Sequence, residues 1–481
     1  MFYKISIPSE RSGPVAVRFK NRKLLALVML APAMCFAAGF SHEGISYNLL
    51  SDGKIEVCAA EEGSVYTGTI SIPRMVQYNG EHRLVAGIGR HAFARCEDLE
   101  SVTLPEGLAY IDDYAFYECE NLKTINFPST LSIIGGRAFA LCGSLARPTW
   151  PKSLTEIGEN AFSYCYGIAD IGLLPEYLRI GTGAFSNCTS LVSLDLSNFK
   201  GEIGESAFSN CTSLQTLRLN PGLSTIRSAA FSDCIQLQEI TFPENLNVIE
   251  KRAFAGCTSL RKIDIPPLVA HIEERAFAGC QSIGSIAFKT GDLEIGEGGF
   301  ENLPALKWLY FKGVTKIGEY AFSNCPELEW IEIEDNVEEI GSYAFTNCPK
   351  LLKLYSHSEW PPRITINTFD TSTEQQAELL VREDSKERYE LAAYWNRFNH
   401  ISETSQFPLA VGSISADPML ISVEHGHIII RSRAYKASVS DLTGRCVFSG
   451  TPGELASRTI PKGIYIVRSD MESRLIMLTE E

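Results

Sequence analysis

The chain has 481 residues, 45% of them hydrophobic and 21% charged, and a formal net charge of −15. These values describe an ordered, non-membranous polypeptide. The acidity argues against nucleic acid or an anionic membrane as partner, because neither would be attracted.

Six Lys/Arg against one Asp/Glu give the first 38 residues a charge of +5, so the remainder carries −20. Arg18, Lys20, Arg22 and Lys23 precede an apolar run from Leu24 to Phe36, and Ala37, Ala38 and Gly39 follow it. That order of basic, apolar and small residues predicts an export signal over 1–38. The run is short for a bilayer span.

From residue 89 a phenylalanine recurs: Phe93, Phe116, Phe139, Phe162, Phe185, Phe208, Phe231, Phe254, Phe277, Phe300, Phe322, Phe345 and Phe369. The interval is 23 residues nine times, then 22, 23 and 24. Each Phe sits in the pattern I-x-x-x-A-F-x-x-C-x-x-L-x-x-I. A fixed period in this range marks a solenoid. Within the unit Ile111–Pro128, Ala115, Phe116, Cys119 and Leu122 follow a three-residue rhythm, which predicts one short turn of helix. Leu122, Ile125 and Phe127 then lead into the alternation of a strand. The expected fold is an α/β solenoid of about 12–13 coils over 89–370, with one strand and one helical turn per coil. Stacked at the spacing of neighbouring strands, twelve coils would form a parallel sheet about 58 Å long.

Eleven of the fourteen cysteines fall on one rung of the repeat, and Leu303 takes that rung in the remaining coil. A straight column suits neither disulfide geometry nor a convergent metal site. Reduced thiols acting as small buried hydrophobes are expected instead.

These repeats resemble the BspA-like leucine-rich repeats of bacterial surface proteins. The resemblance implies a β-rich amino cap at 39–88, carrying Tyr66-x-Gly68-x-Ile70-x-Ile72-Pro73. It also implies a carboxy cap at 371–404, with Tyr389, Trp395 and Phe398, preceded by Trp360-Pro361-Pro362. Residues 405–418 read as a linker rich in Ser, Pro, Gly and Ala. Beyond it, short apolar runs at 428–430, 437–439, 446–448, 464–467 and 475–478 alternate with turn residues. They predict a small β-sandwich over 419–481. The pieces Val439-Ser440-Asp441-Leu442-x-Gly444-Arg445 and Pro461-x-Gly463-Ile464-Tyr465 resemble the type A sorting domain of type IX secretion. That resemblance implies engagement of the type IX machinery, passage across the outer membrane and display on the cell surface.

No nucleophile elbow, phosphate-cradling loop or H-E-x-x-H occurs. His425-x-His427 lacks a third ligand. No cofactor or metal is expected, and no enzymatic activity. The informative departure from periodicity lies in the strands. Eight and ten residues after Phe, nine coils carry small or polar residues, whereas the last three carry Trp308, Trp330 and Lys353, then Tyr310, Glu332 and Tyr355. These positions are expected to face outward, and clustered exposed aromatics mark binding surfaces. The expected ligand site is therefore Trp308, Tyr310, Trp330 and Tyr355, with Glu332 and Lys353 as polar partners. The family resemblance implies a non-enzymatic adhesin for host extracellular-matrix proteins or other bacterial surfaces. The alternative is capture of glycans or peptides for nutrient uptake.

Overall fold

The structure is a computed structural model describing residues 39–61, 64–288, 291–405 and 407, together with the backbone of six strands between 420 and 478. The export segment expected at 1–38 and most of the expected linker lie outside the described residues.

The repeat stacks in register. Ile111, Ile134, Ile157 and Ile180 pair in parallel on two-residue strands, one per coil. The phenylalanine rings from Phe93 to Phe369 form one column, each ring stacked on the next, with centroids 4.8–5.8 Å apart. Isolated aromatic pairs favour offset or edge-on contacts. Here the coil spacing holds the rings nearly parallel and buries them completely or almost so. The column continues upstream: Tyr66 packs on Phe93 at 4.7 Å, giving fourteen rungs rather than twelve or thirteen. At the far end, Trp395 and Phe398 close over Phe369 at 5.9 and 5.4 Å. Without such covers the terminal rings would face water.

The expected helical turn does not form. Among the described residues, helices occur only at Thr371–Gln376 and Lys386–Leu391, with a 3-10 turn at Trp395–Arg397. The repeat is therefore a β-solenoid with turns in place of helices, and the α/β expectation is corrected. Backbone alternation is the cause. In each coil from Phe93 to Phe345, the residues two before and two after Phe have positive φ, as in Tyr114 (57°) and Glu118 (58°). These left-handed residues, four apart, turn the chain so that successive N–H groups point in different directions. Ala115, Tyr117 and Cys119 bond back within the coil, to Asp112, Tyr114 and Phe116. Tyr114, Phe116 and Glu118 instead donate along the axis to Gly136, Ala138 and Ala140 of the next coil, at 2.7–2.9 Å. A helix would have spent all these donors internally.

The second strand face is not one long sheet. It consists of pieces such as Ser193–Asp195 with Thr216–Arg218, and Lys262–Ile265 with Ser285–Phe288. No strand forms at 147–150, where Pro148 has no N–H to donate. The longest piece lies at the carboxy end, where Trp308–Phe311, Trp330–Ile333, Lys353–Ser356, Glu378–Arg382 and His400–Thr404 run in parallel. In the tail, Leu420–Glu424 pairs with His427–Arg431. Ala437–Asp441, Cys446–Gly450, Gly463–Ser469 and Ser473–Leu478 form a four-stranded antiparallel sheet.

Candidate functional site

The five-stranded sheet holds the expected site in register. Trp308 lies opposite Trp330, which lies opposite Lys353; Tyr310, Glu332 and Tyr355 align in the adjacent column. Parallel pairing at equal offsets forces this, because each coil delivers the same position to the same face. The two indoles stack at 5.6 Å with planes 10° apart. Tyr355 meets Trp330 edge-on at 6.2 Å. Trp308, Trp330 and Tyr355 are half-buried and Lys353 is exposed.

Two of the six expected residues do not face solvent. Tyr310 is only 5% exposed, and its hydroxyl donates to Glu334. Glu332 is 0% exposed and bonds His357 Nε2 at 2.6 Å. The physical reason is a cover supplied by the chain around this column. His357 follows directly on the Lys353–Ser356 strand, and its amide donates to Ile333 O at 2.9 Å. Phe407 then stacks on the His357 ring at 3.9 Å. The accessible site is thus narrower than expected: Trp308, Trp330, Tyr355 and Lys353. His357 stands where Pro105, Pro128 and Pro151 close their own coils, a column that gave no hint of a partner for Glu332, and Phe407 lies beyond the repeat.

A second feature near this end also escaped the periodic reading. Trp360 is 68% exposed, with the Arg388 guanidinium 4.8 Å above its ring. Arg388 also pairs with Glu359 at 3.1 Å.

The cysteine column lies in the interior as free thiols. Each repeat thiol from Cys119 to Cys280 donates to the Phe carbonyl of the preceding coil, for example Cys119 to Phe93 at 3.0 Å and Cys188 to Phe162 at 3.3 Å. Burial pushes the thiols of Cys188, Cys234 and Cys280 up to about 12. Among the described residues no group of three His, Cys, Asp or Glu could hold a metal ion.

The family model for the BspA type leucine-rich repeat region matches residues 86–200, 178–307 and 293–377. The chain belongs to the BspA-type leucine-rich repeat family. Among solved structures it is similar to a leucine-rich repeat protein from Bacteroides ovatus, at 27% identity and a TM-score of 0.61, over 76% of this chain and 99% of that one. A leucine-rich cell surface protein from Faecalibacterium prausnitzii matches at 22% identity and a TM-score of 0.42, over 77% and 96% of the two chains. The pneumococcal vaccine antigen PcpA matches at 18% identity and a TM-score of 0.49, over 77% and 99%. No protein among those of curated function matches the chain. The BspA-type repeats supply the frame; the residues facing outward from it distinguish this member.

Proposed function

We propose that the protein is a non-enzymatic recognition protein of the cell surface, an adhesin for host extracellular-matrix proteins or other cells. It would bind through the carboxy-terminal part of its strand face. The observation that carries this reading is the stacked, half-exposed pair Trp308 and Trp330. In the same column the nine preceding coils present Ser, Thr, Asp, Glu, Lys or Arg. Tryptophan and tyrosine supply large, rigid contact area and dominate protein interfaces. Tyr355 extends the apolar area and Lys353 borders it with charge. The basic-then-apolar leader supports export. The tail motifs support delivery through type IX secretion, with display at the surface.

Glycan capture is the second reading. The position preceding Trp308 in its column is Ser285, a small residue that leaves room for a sugar ring to extend the stack. Replacing Trp308 and Trp330 together by Ser tests both. Capture of fibronectin, fibrinogen or partner cells by the full chain should be lost, while the thermal midpoint moves only slightly. If glycan-array signals disappear and matrix binding persists, the nutrient reading prevails. If both persist, neither use of this face survives.

A further inference from the structure

A cavity of about 610 Å³ lies far from the tryptophan pair, on the isoleucine-strand face of the first coils. This volume falls in the range of small-ligand sites. Tyr110, Ile133 and Glu156 share one in-register column along its side. Asp113, Tyr114, Arg137 and Glu159 line the other side. Gly135 and Gly158 form the base, and no side chain fits there: a Cβ on Gly158 would fall 2.6 Å from the Gly135 carbonyl carbon. Asp112 holds the position equivalent to Gly135 one coil earlier.

The charges inside are nearly all matched. Arg90 pairs with Asp113 at 3.7 Å and Arg137 with Glu159 at 3.6 Å. Glu156 pairs with Arg179. The two guanidinium groups of Arg90 and Arg137 also flank the Tyr114 ring, at 5.9 and 5.6 Å. Asp112 is the exception. Its Oδ1 accepts the Asp113 amide at 2.7 Å, but it makes no ion pair among the described residues. The cavity therefore carries one surplus negative charge, in a chain that is itself at −15.

We propose that this cavity receives a cationic side chain, lysine or arginine, from a peptide segment of a protein ligand. The charged head meets Asp112 beside Tyr110, whose hydroxyl donates to Glu56 at 2.7 Å, and carboxylate attraction holds it there. The aliphatic stem lies over the glycine base and against Ile133, which is 43% exposed. An anionic ligand would find every arginine already engaged. The site is independent of the aromatic face and would stand if that face bound nothing.

The test uses the full chain and fluorescein-labelled twelve-residue peptides carrying Lys/Arg, Glu or norleucine at matched positions, with a neutral oligosaccharide alongside. Anisotropy should show binding of the Lys/Arg peptide alone, weakening as salt rises. Asp112→Asn keeps the acceptor for the Asp113 amide and removes the charge. Ile133→Arg places a cation at the mouth. Each should weaken binding about tenfold or more, while the circular dichroism spectrum and thermal midpoint stay at those of the parent chain, which separates lost binding from misfolding. Equal binding of the three peptides, or unchanged affinity in both Asp112→Asn and Ile133→Arg, would overturn the proposal. So would oligosaccharide binding that Ile133→Arg blocks, which would reassign the cavity to glycans.

Discussion

The thiol of Cys119 donates to the carbonyl oxygen of Phe93, one coil upstream, at 3.0 Å, and the same relationship recurs up the column as far as Cys280 and Phe254. The cysteine is thus more than a small filler. It adds a second hydrogen bond to a carbonyl that the in-coil turn already uses, as Cys96 N does for Phe93 O at 3.1 Å.

Alkaline pH should unfold the solenoid steeply. The folded thiols of Cys188, Cys234 and Cys280 sit at about 12, against 9.0 for a free thiol, because burial disfavours the thiolate. A pKa raised by folding gives stability that is fully present below 9 and is lost as pH rises toward 12. Each such thiol costs about 1.4 kcal/mol per pH unit within that window. Urea midpoints measured from pH 8 to 10.5 should fall sharply above pH 9. A flat profile would contradict the burial of the column.

Alkylation should report the same burial kinetically. At pH 8 the repeat cysteines should resist iodoacetamide in the native chain and react promptly in urea, since the thiolate is the reactive form. Rapid labelling of native protein, read by intact mass, would mean that the coils open.

Phe208→Ala should cost about 3–5 kcal/mol. Its ring lies between those of Phe185 and Phe231, at 5.4 and 5.8 Å. Each coil contacts mainly its neighbours, so the damage should be local. Limited proteolysis should cut first near residues 200–215, with the distant coils protected.

His357→Ala should destabilise the carboxy end by about 1–3 kcal/mol, because it removes a 2.6 Å hydrogen bond from the buried carboxylate of Glu332. Adding Glu332→Leu should recover much of that loss. A double variant as unstable as the single one would show that the pair is dispensable and the packing is at fault.

Much of the fold was legible in residue order. The Phe interval gave the coil, the Ile column gave the paired rungs, and Leu303 substituting for Cys showed the column to be core. The left-handed positions also had a signal that the three-residue rhythm obscured. Two residues after Phe stand Asn187, Asn210, Asp233, Gly256, Gly279, Asn302, Asn324 and Asn347, types that tolerate positive φ. Leu141 and Tyr164 occupy the same position without that tolerance, held there by bonds from neighbouring coils. The site was legible as a set of aligned positions, but its exposure was not.

The sequence by itself determined the period, the register and which side chains share a column, because every coil repeats one local pattern. Tertiary structure alone decided which of those side chains reach solvent. Glu332 and Tyr310 obey the outward alternation of a strand, yet they are buried because His357, Phe407 and Glu334 pack around them. Burial depends on what the next coil and the returning chain beyond the repeat lay over a column, and no pattern within one coil encodes that.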